Sequence, residues 1–419
     1  MKFVLIIGDG MADYPLEELD GKTPLQVAEH PNMDHLTSRG VCGTLRTLPR
    51  GLDTGTDVAT LSILGYDPRI CYTGRGPLEA ANMGLALGEG DIAFRCNLVT
   101  VKNDILVDHS AGHINSESAR KLVSRLKEVF AKEGEVEFYA GVSFRNIMLL
   151  KGGKYSEKVR CTPPHDIIGK PFKRHLVKPL DESGAETASI LNDMVIRSER
   201  ILSEHPINLE RVKAGVNPGN LMWPWGHGRK PQLHPLKEKF GVRGAVISAV
   251  DIVNGIGVCV GMDVVKVPGA TGYHDTNYEG KADYALKSLE DHDLVLVHVE
   301  APDEASHIGD LKLKIKTIED LDRRLVGRIL GGLKGEYTIA VLTDHLTPTA
   351  KRTHRRGPVP VAVYSTAINR GDGVKHFDEY SVRKGSLRVR EGYKFMPLFL
   401  SIGSLSKGRC NSGNMQGMR

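Results

Sequence analysis

Short apolar runs dominated by β-branched residues recur along the chain: FVLII (3–7), AVIS (245–248), DVVKV (263–267), LVLVHV (294–299), YTIAVL (337–342) and VPVAVY (359–364). Their hydrophobicity is continuous rather than alternating, the pattern of strands buried on both faces. Segments with helical spacing lie between them: a short helix over Thr56–Leu64, then Thr276–Glu290 and Lys312–Leu330. Strand and helix in alternation predict an α/β fold built on a doubly wound sheet.

The middle of the chain breaks this rhythm. It carries charged strands (EVEFYA, NIMLLKG), a proline-rich loop (CTPPHD), a long helix over Glu186–Glu204 and a Trp-Pro-Trp turn. We expect a second α/β domain over residues 77–230, set into a first domain formed by 1–76 and 231–403. Residues 404–419 are polar and rich in Gly and Ser, the composition of a disordered tail.

Bulk properties narrow the function classes. A net charge of +5 over 419 residues is small, and the basic residues are too scattered for a nucleic-acid surface. The six cysteines (42, 71, 96, 161, 259 and 410) form no CxxC pair, which argues against a disulfide framework and for a reducing cytoplasm. The N-terminal apolar run, FVLII, is far short of the ~18 residues that span a bilayer. The expectation is a soluble cytoplasmic protein without a membrane or nucleic-acid partner. Its oligomeric state is left open.

Ligands of open α/β sheets collect at the carboxyl ends of the strands. Three runs deliver metal-type side chains there. FVLII is followed by Asp9, LVLVHV by Asp303 and His307 at i, i+4, and YTIAVL by Asp344 and His345, with His354 in the loop beyond. Each cluster alone is an ordinary turn or helix face. Three carboxylates and three imidazoles together suit Mn²⁺, Zn²⁺ or a similar divalent ion better than Ca²⁺, which prefers oxygen shells. Six ligands are more than one tetrahedral site uses and a natural number for two ions.

Between the first two clusters lies GLDTGTDVATLSILGYDP, a glycine-rich approach to a helix start at Thr56. A hydroxyl there faces free backbone N–H groups and the positive end of the helix dipole, which favour a phosphate. Thr56 is therefore the candidate nucleophile, its alcohol activated by a bound metal; read alone, it would be only an N-cap.

Together these residues resemble the alkaline phosphatase superfamily, and within it the cofactor-independent phosphoglycerate mutases of the archaeal type. The marks are LIIGDGMADYP, DGKTPLQVAEHPNMDHL, GYDP into YTGRGPLEA, PGATGYHDTNYEGKADYAL, HVEAPDEASHIGD, and TDHLTPTAKRTH before GPVPVAVY. The resemblance implies an alkaline-phosphatase-like sheet with an inserted domain and two divalent ions, Mn²⁺ first, with Mg²⁺, Zn²⁺ or Co²⁺ as alternatives. One ion would be held by Asp303, His307 and His354, the other by Asp9, the Thr56 hydroxyl, Asp344 and His345. It further implies a glycolytic and gluconeogenic isomerase interconverting 3- and 2-phosphoglycerate through a phosphothreonine.

Members of the archaeal type commonly carry Ser where this chain has Thr56. The chain also resembles a bacterial branch proposed to act as a homoserine kinase, yet it has no GxxxxGK[ST] loop for ATP. A homoserine kinase-like phosphotransferase and a plain metal-dependent phosphatase are thus the alternatives to the mutase. A mutase must retain glycerate under a water-excluding lid while its phosphoryl group is parked, so the inserted domain should offer cations to a small phosphorylated carboxylate. The candidates are His113, Arg145, Arg75 and Arg95, arginine being favoured by its planar fork. WPWGHGR (223–229) is a candidate hinge or second anion contact, and its Trp pair equally suits core packing.

Overall fold

The structure, a computed structural model, describes residues 1–132, 134–367 and 371–404. The chain divides into two compact units, one formed by Met1–Tyr72 with the segment from Leu233 onward, the other by Thr73–Gln232. The helix Arg75–Asn82 thereby lies wholly in the second unit. Past Ser404 the expected tail lies outside the described residues. Among the described residues no helix is long and apolar enough to cross a membrane.

The first unit is organised by an eight-stranded sheet. Its order is Asp263–Val264, Gly244–Ile247, Leu294–Val299, Lys2–Gly8, Tyr337–Leu342, Val359–Ser365, Val41–Leu45 and Leu387–Val389. The central strands are largely apolar because helices cover both faces. Val4 and Ile6 of the first strand pack with Ala282, Ala285 and Ile318 on one face, while Phe3 meets Phe399 edge-on from the other, ring centres 5.6 Å apart. Register aligns the strand ends: Ile7 lies opposite His298 on one side and Leu342 on the other. The residues that follow these three strands consequently emerge at one edge.

Val359–Ser365 runs antiparallel to both of its neighbours, so the sheet is mixed. The DVVKV run is strand only at Asp263–Val264, and Pro268 with Gly269 turns the chain soon after. The expected helix Lys312–Leu330 is observed as one helical stretch from Leu311 to Gly332 that carries a π turn over Leu321–Val326. At that turn Asp322 reaches sideways and accepts from the backbone N–H groups of Asn32 and Met33, at 3.1 and 2.7 Å. It thereby caps the helix Pro31–Arg39, whose own N-cap side chain makes no capping bond.

The second unit is built on Ile92–Lys102. This strand pairs antiparallel with Ile105–Asp108, Arg145–Leu150 and Leu221–Gly228, and Val136–Val142 continues the sheet beyond Arg145–Leu150. Alternation decides its packing. Ile92, Phe94, Cys96 and Leu98 meet the helices Ser116–Phe130 and Ala185–Ser203, while Ala93 faces Ala80 of Arg75–Asn82. The Trp-Pro-Trp segment is neither turn nor hinge: it lies inside the edge strand Leu221–Gly228, with both Trp side chains buried. An edge tolerates Pro224 because no ladder partner is lost on the outer side.

Candidate two-metal centre

Three elements of the first unit bring the site together. Asp9 follows Gly8 directly and is anchored by its N–H to the Val299 carbonyl at 2.9 Å. Asp303 and His307 stand one turn apart on the helix Ala301–Ile308, and Asp344 with His345 follows Leu342 after one residue. All seven sequence-predicted ligands are clustered. His345 Nε2 lies 3.3 Å from Asp9 Oδ1 and 3.2 Å from Asp344 Oδ2. Asp303 Oδ2 lies 3.1 Å from His307 Nε2 and 3.4 Å from His354 Nε2, and those two nitrogens are 2.9 Å apart.

Thr56 is the first residue of the helix Thr56–Ile63, and Gly55 occupies the cap position. The N-cap reading therefore fails, and its hydroxyl is directed at the cluster instead. Thr56 Oγ1 donates to Asp9 Oδ2 at 3.2 Å and lies 3.2 Å from His345 Nε2.

The imidazoles share one design. Each sets Nδ1 against a protein partner and leaves Nε2 for the cluster: His307 against the Arg352 carbonyl (3.0 Å), His354 against the Thr54 carbonyl (2.6 Å), His345 against Thr347 Oγ1 (3.1 Å). This is how metal-bound histidines are usually oriented. Asp9 Oδ1 and Asp344 Oδ2 are buried and accept no hydrogen bond, which is costly for carboxylate oxygens unless a cation satisfies them. Burial, with the charges of Asp344 and Asp303, pushes the Asp9 carboxyl well above its usual range. Burial would also raise Asp303, but the His307 and His354 imidazoles hold it well below. Burial keeps His345 neutral, the form that ligates metals. The donor set fits divalent cations: ligand atoms of Asp303, His345 and His354, and of Asp9, Asp344 and His345, lie within 4.8 Å of one another in each group. His345 is thus in reach of both.

A third such group, Asp9 with His298 and Glu300, was not legible in the sequence. His298 is the fifth residue of the apolar LVLVHV run, fully buried, its Nε2 3.0 Å from Asp9 Oδ2 and its Nδ1 3.2 Å from Ser248 Oγ. A polar residue inside an otherwise apolar strand was the available signal. Behind it, the buried Lys281 amine donates to the His298 carbonyl at 3.0 Å. Burial lowers that amine to about 8. A second buried cation, Lys314, bonds Asp13 Oδ2 and the Thr347 carbonyl, each at 2.9 Å, and braces the loop beyond His345.

In the second unit the four predicted cations surround one aromatic chain. Arg75 and Arg95 stand over the Trp225 ring at 5.9 and 5.0 Å, and Trp225 donates to Asn97 Oδ1 at 3.1 Å. Arg95 is buried and ion-paired with Glu79 at 3.1 Å, so most of its charge is already matched. His165 and His109 link Trp225 to Phe144, and Phe144 carries His113 edge-on at 6.4 Å and the Arg145 guanidinium at 5.5 Å. Arg145 Nε is buried without a hydrogen-bond partner. His109 and His165 were missed in the sequence; burial pushes both imidazoles down, and nearby cations add to this.

A family model described as 2,3-bisphosphoglycerate-independent phosphoglycerate mutase matches residues 37–208. Curated relatives of that name extend the match. One from Methanothermobacter thermautotrophicus is 48% identical over 401 residues, 96% of this chain and 97% of its own. One from Methanosarcina barkeri is 50% identical, over 92% of this chain and 96% of its own. Among solved structures, a protein from Pyrococcus horikoshii superposes with a TM-score of 0.81 at 31% identity, covering 98% of this chain and 99% of that one. The cofactor-independent phosphoglycerate mutase from Thermoplasma acidophilum gives 0.66 at 33% identity, covering 96% and 100%. With half its residues shared over nearly its whole length, the chain belongs to the 2,3-bisphosphoglycerate-independent phosphoglycerate mutases.

Proposed function

We propose that the chain interconverts 3-phosphoglycerate and 2-phosphoglycerate by phosphoryl transfer through Thr56, with two divalent cations bound. The mutase activity rests on family membership. The phosphothreonine intermediate is carried by one observation, Thr56 Oγ1 at 3.2 Å from both Asp9 Oδ2 and His345 Nε2. One cation would be held by Asp303, His307 and His354, the other by Asp9, Thr56, Asp344 and His345. Mn²⁺ is our first choice, although mixed nitrogen and oxygen sets also accept Mg²⁺, Zn²⁺ or Co²⁺. When bound, such cations stabilise charge on phosphoryl oxygens and make a hydroxyl a better nucleophile.

The protein's own groups position the transfer. At the first turn of its helix, Thr56 Oγ1 holds a phosphoryl group where backbone N–H groups and the helix dipole favour negative charge. In the first half-reaction phosphorus leaves the 3-oxygen for Thr56 Oγ1, and the glycerate 3-oxygen gains the proton that the threonine gives up. In the second, the 2-hydroxyl of the retained glycerate loses its proton and takes phosphorus from Oγ1, which is reprotonated. We assign Arg145, His113 and Arg75 to the substrate's anionic groups, with Arg95, held by Glu79, acting through Trp225. Cys42, Cys71, Cys96 and Cys161 are free thiols, which supports a reducing cytoplasmic location.

The test is an enolase-coupled assay of Mn²⁺-loaded protein without added 2,3-bisphosphoglycerate, beside a homoserine/ATP assay. Turnover in the first and none in the second is expected. Homoserine phosphorylation with no conversion of phosphoglycerate would overturn the proposal.

A further inference from the structure

A second concavity of about 300 Å³ lies within the first unit, lined by none of the predicted metal ligands. Its walls carry Arg46, Arg50, Arg356 and Arg390. The fold explains the convergence. Val41–Leu45 and Leu387–Val389 are parallel neighbours, so Arg46 and Arg390, one residue beyond each, leave the sheet at the same edge. Arg50 comes from the loop that leads to Thr56, and Arg356 from the loop two residues past His354.

The charges here are not matched by carboxylates. Of the two that line the cavity, Asp67 is held by Arg69 through bonds of 2.9 and 2.7 Å, and Glu391 by Lys394 at 2.6 Å. The side chains of Arg46, Arg50 and Arg390 make no hydrogen bond or ion pair among the described residues, and Arg356 donates only to the Leu52 carbonyl. Four guanidinium groups around one small cavity form a site for an anion with more than one charged group, since each fork matches a phosphate or carboxylate edge. The volume is that of a small-metabolite site. It is separate from the metal centre, because Ser62 on its wall lies six residues along the helix from Thr56, about 9 Å away.

We propose that this arginine pocket binds a small phosphorylated metabolite carrying at least two anionic groups, and that occupancy braces the loops bearing Thr56 and His354. The loops already touch through the His354–Thr54 and Arg356–Leu52 bonds. An anion shared by Arg50 and Arg356 adds a clamp from outside. Binding here does not depend on the mutase reading.

The probe is 2,3-bisphosphoglycerate, titrated calorimetrically into the Mn²⁺-loaded full chain. The proteins compared are the wild type, the double variant R46A/R390A, and H307A, whose metal centre is disabled. A binding event retained in H307A and weakened at least tenfold in R46A/R390A is expected, with slowed amide exchange over 50–56 and 352–357 in the wild type and H307A but not in R46A/R390A. Equal binding by the wild type and R46A/R390A, or none by the wild type, would overturn the site. Unchanged exchange on binding would overturn the clamp. Both substituted arginines are exposed, so the double variant should fold; a matching melting temperature confirms it.

Discussion

Replacing His298 tests how the centre is held together. Ser248 Oγ already accepts the Val250 N–H at 3.0 Å, so its own proton is available to His298 Nδ1. That leaves Nε2 to carry a hydrogen toward Asp9 Oδ2, 3.0 Å away and fully buried. A buried hydrogen bond to a charged acceptor contributes about 1.5–3 kcal/mol. Loss of a partner that orients a metal ligand typically costs about 10–100-fold in metal affinity, the same range in free energy. His298→Ala should accordingly bind Mn²⁺ at least tenfold more weakly, measured by calorimetry on metal-stripped protein at fixed pH. His298→Gln, whose amide can still donate toward Asp9, should recover part of the loss, and Ser248→Ala should fall between. Wild-type affinity in His298→Ala would refute the reasoning. Disappearance of a whole metal equivalent would refute it differently, by showing that His298 binds a cation itself.

Thr56→Ala should abolish turnover while retaining most metal binding, and Thr56→Ser should stay active, since only the hydroxyl is needed; enolase-coupled rates decide both. Gly10 sits at φ +59, and an added Cβ would meet Asp303 Oδ1 at 2.4 Å. Gly10→Ala should therefore cost about 1–2 kcal/mol in backbone strain alone and displace Asp303, lowering metal affinity as well. His30 gives a pH test away from the centre. Burial would lower its pKa, but Asp34 at 3.1 Å and the Leu25 carbonyl raise it to about 9. A histidine raised above its unfolded value of ~6.5 stabilises fully below that pH and loses the effect as pH climbs through the folded value. In urea melts, wild type should exceed His30→Gln by up to about 3 kcal/mol at pH 6, and the gap should close near pH 9.5.

The chain's local pattern was enough for the parts that depend on immediate neighbours. LVLVHV and YTIAVL coincide with their strands because a run apolar on both faces has few alternatives. Asp9, Asp303, His307, Asp344, His345 and His354 stood out because they follow such runs, and sheets gather ligands at that edge. Other features needed partners far away in sequence. Strand direction leaves no mark in composition, so antiparallel Val359–Ser365 could not be told from its parallel neighbours. Val41–Leu45 and Leu387–Val389 are too short to carry a period. Pro224 argued for a turn until the edge of a sheet made it harmless.

By itself, then, the sequence determined the α/β class, the strand ends and the metal-type side chains, because periodicity and residue chemistry are local. Tertiary structure alone decided that Thr56 points at Asp9, that His298 backs the centre, and that four distant arginines meet around one cavity. Each of those is a juxtaposition across tens to hundreds of residues, set by how the elements pack.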